Sequence, residues 1–466
     1  MVTYTFKKNN IPLYEQLYCF IKLDIEQGDI IAGEKLPSKR AFAKHLGISV
    51  MTVETAYQQL VAEGYLSAKA KQGFFVNPLN LPKTSTSRSV FTETSGSKPI
   101  ENSKKWQADL TNSQTSAENF PFSVWTKLVR EVLKHHQSAL MERAESGGVL
   151  MLRQAIAKHL HDFRGMNVSP AQIIVGAGTE YLYGLLVQLL GLDKSYALPD
   201  PSYDKLHKIF QSYGLNHISI SMDYATNVLK NVNVLHTSPS HHFPTGLVMP
   251  IAKRYELLAW AAEKTDRYII EDDYDSEFRF VGQPIPALQS IDMLGKVIYM
   301  NTFSKTLSST VRIAYMVLPP ELLTRFHQQL GFYASTVSNF EQYVLAEFIQ
   351  QGYFEKHINR MRAYYQKKRD NLLFSLKNSP LAEKITIKEE NAGLHFIVQF
   401  HTALSDEKIL QSANEQGIKM VSLARYYQDK SQAPKNAFVV GYSNLADKQV
   451  DEVVRWLKNI FSRRVL

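Results

Sequence analysis

Cysteine is almost absent, with Cys19 the single one in 466 residues. One thiol excludes an internal disulfide framework and any metal site built from several cysteines, and it is compatible with a reducing compartment. Long apolar runs are missing too. No stretch reaches the ~18 consecutive apolar residues of a spanning helix, and Met1 to Asn10 is polar and basic, without the apolar core of a secretory leader. A soluble, cytoplasmic protein is expected. Acids and histidines do not recur at metal-ligating spacing. The adjacent pair His241-His242 lies in a Pro-rich turn, where neighbouring side chains rarely point the same way, so no metal is expected. Internal repeats are lacking, and so is any acidic excess: Lys and Arg number 53 against 44 Asp and Glu, a formal charge of +9 with pI ≈ 9.2. That balance suits a polyanionic partner if the charge is concentrated rather than spread.

The chain is too long for one ordinary core, and composition divides it into three zones. Residues 1–76 are compact. Residues 77–105 are rich in Ser, Thr, Pro and Lys, and Pro82 to Ser89 has almost nothing to bury, so a flexible linker is expected there. From residue 106 to 466, short apolar runs such as Ile173-Ile174-Val175, Tyr268-Ile269-Ile270 and Val297-Ile298-Tyr299-Met300 alternate with helical patterns. That order predicts an α/β domain on a mainly parallel sheet.

In the first zone, helical periodicity runs from Leu13 to Gln27, with Leu17, Phe20, Ile21 and Ile25 on one face and Gly28 as the stop. Ser38 caps a short second helix that ends at Leu46-Gly47, and Ser49 caps a third through Leu60. Two short helices across a tight glycine turn make a helix-turn-helix, whose second helix can enter a major groove. Two strands are predicted next, Gly64 to Ser67 and Phe74 to Val76, joined by a turn holding Lys69, Lys71, Gln72 and Gly73. This basic wing argues against the alternative of a helical mini-domain with no nucleic-acid role.

The runs Pro12-Leu13-Tyr14-Glu15-Gln16-Leu17, Gly33-Glu34-Lys35-Leu36-Pro37-Ser38-Lys39-Arg40, Thr52-Val53 and Glu63-Gly64-Tyr65-Leu66 resemble the GntR-type winged helix-turn-helix. The resemblance implies double-stranded promoter DNA as partner, contacted by Ser38, Lys39, Arg40, Ser49, Thr52 and the wing residues Lys69, Lys71 and Gly73. Lysines and hydroxyls suit phosphates, whereas Arg40, Val50 and Met51 are better placed for base edges.

In the long third zone the most informative stretch is Asn301-Thr302-Phe303-Ser304-Lys305-Thr306-Leu307, followed by Arg312. A lysine amine can form a Schiff base with pyridoxal 5′-phosphate (PLP), while Thr302, Ser304 and Arg312 can hold a phosphate. Alone, such a group is equally a solvated loop. Gly176-Ala177-Gly178-Thr179-Glu180 follows an apolar strand and opens a helix, so backbone N–H groups and the Thr179 hydroxyl can receive an anion; a plain strand-to-helix turn is the alternative. Glu271-Asp272-Asp273-Tyr274-Asp275 puts acids at a strand's carboxyl end, where a carboxylate can pair with a protonated pyridine nitrogen. Read as a cation site, it lacks further ligands at suitable spacing. Pro199-Asp200-Pro201-Ser202-Tyr203 offers an aromatic to stack on a planar ring, or simply a turn tyrosine.

Together these segments resemble the type I aminotransferase fold, and their order behind a GntR head resembles the MocR, or GabR-like, regulators. The resemblance implies PLP as cofactor, Lys305 as its Schiff-base lysine, Asp272 as partner of the pyridine nitrogen, Tyr274 as donor to the ring hydroxyl and Tyr203 as stacking residue. It implies phosphate-side roles for Gly178, Thr179, Thr302, Ser304 and Arg312, a large part over about 150–320 and a small part over about 321–466. A homodimer follows as well, because pockets of this fold lie at subunit interfaces and two heads suit two half-sites.

The chain also departs from that pattern. Aminotransferases of this fold hold a substrate carboxylate with an arginine in a late strand that here reads Val439-Val440-Gly441-Tyr442, so Val439 stands where the clamp would be. Lys205 stands where GabR-like members carry a second arginine, and Arg143 lies near the place of a usual tyrosine. Lys205 and Arg425 are the possible effector contacts, Arg425 being equally readable as a surface arginine. No catalytic residue is expected. Three functions stay open: a regulator that senses PLP itself, as in control of vitamin B6 synthesis; a regulator using PLP as a hook for a second amine-bearing ligand, an amino acid or small peptide; and an active aminotransferase.

Overall fold

The computed structural model describes residues 3–7, 11–79, 106–111, 117–282, 285–380 and 382–462; most of the expected linker lies outside them. The chain divides into two compact units, Met1–Asn102 and Ser103–Leu466.

In the first unit, α1 (Leu13–Gln27), α2 (Lys39–Leu46) and α3 (Val50–Ala62) precede the hairpin of β1 (Leu66–Lys69) and β2 (Gly73–Val76). The caps act as the sequence predicts. Ser38 Oγ accepts from Ala41 N at 3.2 Å, and Ser49 Oγ from Thr52 N at 3.0 Å, while Gly28 and Gly47 close their helices in the left-handed region. Leu17, Ile21 and Ile25 of α1 pack with Val53, Tyr57 and Leu60 of α3 into one core. Phe20 is a correction: it is only partly covered, stacking on Tyr4 at 5.1 Å. The wing differs in register as well. Lys69 pairs with Gly73 in the ladder, and the turn is Ala70 to Gln72 with Lys71 at φ +60, so Gly64 and Tyr65 fall before the first strand.

The second unit begins with β3 (Ala108–Asp109), α4 (Phe122–His135), α5 (Gln137–Met141) and α6 (Leu150–Arg164). An alternating run follows: β4 (Ile173–Gly176), α7 (Thr179–Leu190), β5 (Ser195–Asp200), α8 (Asp204–Ser212), β6 (Asn216–Ser221), β7 (Val234–Thr237), α9 (Ile251–Ala262), β8 (Tyr268–Asp272), β9 (Val297–Thr302) and β10 (Ala314–Val317). These strands form one seven-stranded sheet in the order β4-β10-β9-β8-β7-β5-β6. Only β10 runs against the others, pairing antiparallel with both β4 and β9. Strands buried on both faces explain the unbroken apolar runs of the sequence.

Next come α10 (Pro320–Leu330), α11 (Asn339–Gln350), α12 (Tyr353–Lys377), β11 (Ile385–Lys388), β12 (His395–Phe400), α13 (Asp406–Glu415), β13 (Ile418–Lys419), β14 (Val421–Ser422), β15 (Ala437–Gly441) and α14 (Asp447–Ser462). Strands β11, β12, β15 and β14 make a second, antiparallel sheet. The expected small part starting near residue 321 needs correction. Leu322 and Phe326 of α10 and Leu345 and Phe348 of α11 belong to the cores beside the large sheet, because their apolar faces cover it. A further core, under the second sheet, takes in Met361 and Tyr365 of α12 and, unexpectedly, Ala108 and Leu110, since β3 pairs in parallel with β13.

Candidate functional site

The carboxyl ends of β4, β5, β8 and β9 surround a cavity of about 460 Å³, the place and size usual for a small-molecule ligand in an open α/β sheet. Lys305, Asp272, Tyr274, Tyr203, Thr179, Thr302, Ser304, Arg312 and Lys205 all line it, so the structure brings together segments up to 133 residues apart that the sequence kept separate. Gly178 sits at its edge.

One corner is built for an anion. Gly178, the residue before α7, has φ +92, and a Cβ there would stand 2.6 Å from Arg312 Nη2. Only glycine lets the guanidinium come so close to the start of the helix. Across the corner, Thr302 Oγ1 donates to Ser304 Oγ at 3.0 Å, and Ser304 N donates back to Thr302 Oγ1 at 3.1 Å. A helix N-terminus, three hydroxyls and a guanidinium are the donor set a phosphate requires. Glu180, in the first turn of α7, already engages part of it: Arg312 Nη2 donates to Glu180 Oε2 at 2.6 Å, and Lys205 Nζ donates to the other oxygen. Burial works against this carboxylate's charge, but hydrogen bonds from Lys205, the backbone and Arg312 bring it down to about 2.

A second corner gathers acids, histidines and tyrosines. Asp272 ends β8, and Tyr183 OH donates to its Oδ2 at 3.3 Å while lying 2.8 Å from His236 Nε2. Burial, then the neighbouring Asp272, holds the Tyr183 hydroxyl protonated far above its ordinary range, so it stays a donor. His236 Nε2 is 3.6 Å from the same carboxylate oxygen. Tyr274 OH stands 3.1 Å from His241 Nδ1, which also meets both oxygens of Asp275 at 3.0 Å. Tyr203, 49% exposed, meets Phe243 edge-on with ring centres 5.8 Å apart. Lys305 is held below the usual lysine range by burial, against the opposing pull of Asp275, so more of it is the neutral, nucleophilic amine near neutral pH.

The remaining wall is apolar. Val439 is buried and lines the cavity beside Val421, its partner across β14 and β15, together with Leu394 and Tyr426. Arg425 is exposed on the 423–426 turn, next to the lining residue Tyr426, and is not itself among the lining residues. Arg143 also lies outside, donating to the Phe332 carbonyl.

Tyr183, His236, His242, His395, Ser309 and the Glu180 side chain also line the cavity, although no local motif marks them for a role. Tyr183 stands one helical turn beyond Thr179, so periodicity could have found it. His395 faces the cavity from β12, remote in sequence, and carried no local signal. No group of three or more His, Cys, Asp or Glu able to hold a metal occurs among the described residues.

The first unit presents a different surface. Arg40, Val50, Met51, Lys69 and Lys71 are exposed, Met51 at 69%. They lie at the start of α2, the start of α3 and the wing, and the exposed apolar pair suits thymine methyls. Ser38 and Ser49 point their oxygens at their own helix ends, and Ser49 Oγ is 2.8 Å from Thr52 Oγ1. Lys39 pairs with Glu54 at 2.6 Å, and Lys69 lies over the Phe75 ring at 4.8 Å. Ser38, Ser49 and Lys39 thus hold the helices in place, which leaves Arg40 and Lys71 as the least engaged cations of the expected set.

These two units define a DNA-binding regulator joined to an aminotransferase-like α/β domain. Residues 13–76 match the bacterial regulatory proteins of the gntR family, and residues 109–457 match aminotransferase class I and II. Along nearly its whole length the chain is similar to the HTH-type transcriptional regulator YdeL of Bacillus subtilis, 36% identical with 96% of each chain covered. It is 30% identical to the rhizopine catabolism regulatory protein MocR of Rhizobium meliloti, covering 97% of this chain and 94% of that one. The pyridoxine biosynthesis regulator PdxR of Corynebacterium glutamicum is 28% identical over 93% and 91%. In fold, the second unit is similar to the kynurenine aminotransferase of Pyrococcus horikoshii, with TM-score 0.67 and 23% identity over 78% of this chain and 92% of that one. The chain belongs to the MocR/GabR-like subfamily of GntR transcriptional regulators. Among the described residues no helix is long and apolar enough to cross a membrane.

Proposed function

We propose that this regulator binds PLP in the cavity and that PLP itself is the signal that changes its grip on promoter DNA, in control of vitamin B6 synthesis. The observation that carries the reading is the meeting, in one cavity, of a half-buried lysine, an Asp272 carboxylate fixed by Tyr183, and an anion corner opened by Gly178. Those groups fit the aldehyde, pyridine nitrogen and phosphate of one molecule. Lys305 would hold PLP covalently, Asp272 would keep the ring nitrogen charged, Tyr274 would donate to the ring hydroxyl and Tyr203 would cover the ring. Thr179, Thr302, Ser304 and Arg312 would take the phosphate. Bound PLP supplies an aldehyde carbon open to amines and a ring that draws electrons.

Val439 is what separates sensing from catalysis. An amino-acid carboxylate entering beside Val421, Val439 and Leu394 would meet an apolar wall where an arginine clamp would stand, so it would lose a charge-assisted bond worth ~2 kcal/mol and the fixed pose that transamination needs. Similarity to PdxR supports the same direction. A second reading, PLP as a hook for another amine, rests on Lys205 lining the cavity. In either case residues 1–76 would be the DNA-binding head, 77–105 the linker and 106–466 the effector domain, acting as a homodimer. Fluorescence anisotropy on the protein's own upstream DNA, with and without PLP and with no amine present, decides: a shifted isotherm supports PLP as signal, and an unchanged one refutes it.

A further inference from the structure

The anion corner contains an anion of its own. Glu180 is bound by Arg312 at 2.6 Å and by Lys205, and it lies in the first turn of α7, on the partial positive charge of the same helix end that would receive a phosphate. The two cations and the helix end therefore serve one carboxylate. A phosphate entering this corner brings a second negative charge onto the same donors, and at the separations of a shared guanidinium the two repel. We propose that Glu180 is a built-in competitor of the PLP phosphate for Arg312, and that Lys205 eases the competition by holding Glu180 to its own side when Arg312 turns to the phosphate.

This rests on the PLP reading and deepens it, because a protein that reports PLP must release it as well as bind it. The competitor would set the affinity in a range where occupancy can vary. It also gives Lys205 a role as partner of Glu180 instead of a ligand contact. Glu180 and Lys205 side chains are 32% and 47% exposed, and neither belongs to a hydrophobic core, so substitution should leave the fold intact.

The test is the affinity of the full-length protein for PLP and for pyridoxal, which lacks the phosphate, read from absorbance on titration. Glu180→Gln should tighten PLP about fivefold, the scale of one part-exposed ion pair, and leave pyridoxal unchanged. Lys205→Ala should weaken PLP, and the double variant should bind PLP as Glu180→Gln does, since Lys205 acts only through the carboxylate. Unchanged or weaker PLP binding by Glu180→Gln would overturn the proposal and make Glu180 a support for Arg312. A double variant much weaker than Glu180→Gln would overturn the role of Lys205, placing that ammonium on the phosphate directly. If wild type gave no absorbance change with either compound, the PLP reading would fail first and the competition with it.

Discussion

Single side chains set the chemistry of the cavity through burial. Lys305 is the clearest case, since desolvation favours its neutral amine. Lys305→Ala is expected to abolish the visible absorbance that PLP acquires on covalent attachment, while circular dichroism stays that of wild type. PLP that remained trappable by borohydride in this variant would point to another lysine. Burial acts on stability as well. His159 stacks on Phe163 at 5.5 Å and meets Phe354 edge-on at 5.1 Å. Burial lowers it from 6.5 to about 4, helped by Arg164 and opposed by Asp162. The unfolded chain then binds more protons than the folded one between those values, so this contribution is whole above pH 6.5 and is lost as pH falls towards 4. The difference of the two values caps it at ~3 kcal/mol. His159→Phe keeps the ring contacts and removes the titration, so its melting temperature should fall less between pH 7 and pH 5 than that of wild type. Equal falls would locate the acid sensitivity elsewhere, His242 being the next candidate because burial and the adjacent histidines lower it to about 3.

At the scale of elements, helix ends do most of the positioning. The N-terminus of α3 carries Val50 and Met51 outward, Arg40 lies in the first turn of α2, and the wing brings Lys71 out at φ +60. If Arg40 and Lys71 contact DNA, Arg40→Ala and Lys71→Ala should each lower affinity, and Lys71→Ala should also cut the slope of log affinity against log salt by about 1, the loss of one phosphate contact. PLP absorbance should be unmoved in both. An unaltered DNA isotherm would remove these residues from the interface. The caps of α1, α2 and α3 were legible in the sequence because Gly28, Ser38, Gly47 and Ser49 act within a few residues of themselves. The parallel sheet was legible because strands covered on both faces need continuous apolar runs. What escaped was non-local. Two-residue β3 has no pattern of its own and exists only because β13 offers it an edge. The grip of Tyr183 and His236 on Asp272 depends on α7, β7 and β8 lying side by side, which no single segment announces. Glu180 was visible within Gly176 to Glu180, yet its pairing with Lys205 and Arg312 joins residues 25 and 132 positions away.

For the whole molecule, the question is how occupancy of a cavity in one unit can alter binding by another. Ligand and DNA can influence each other only if each prefers one arrangement of the protein, and the coupling is then the same in both directions. A factor by which PLP changes DNA affinity must reappear as the factor by which DNA changes PLP affinity. The net charge of +9 does not enter that ratio, because it favours DNA in every state alike. Two titrations at one salt concentration test this: DNA affinity with and without saturating PLP, and PLP affinity with and without saturating operator. Equal factors different from one would establish that PLP is the signal acting through a shared equilibrium. A change in DNA affinity with no reciprocal change in PLP affinity would be thermodynamically inconsistent with one-to-one linkage per protomer. It would direct attention to PLP-dependent self-association, which sedimentation at matched concentrations would reveal as a change in mass.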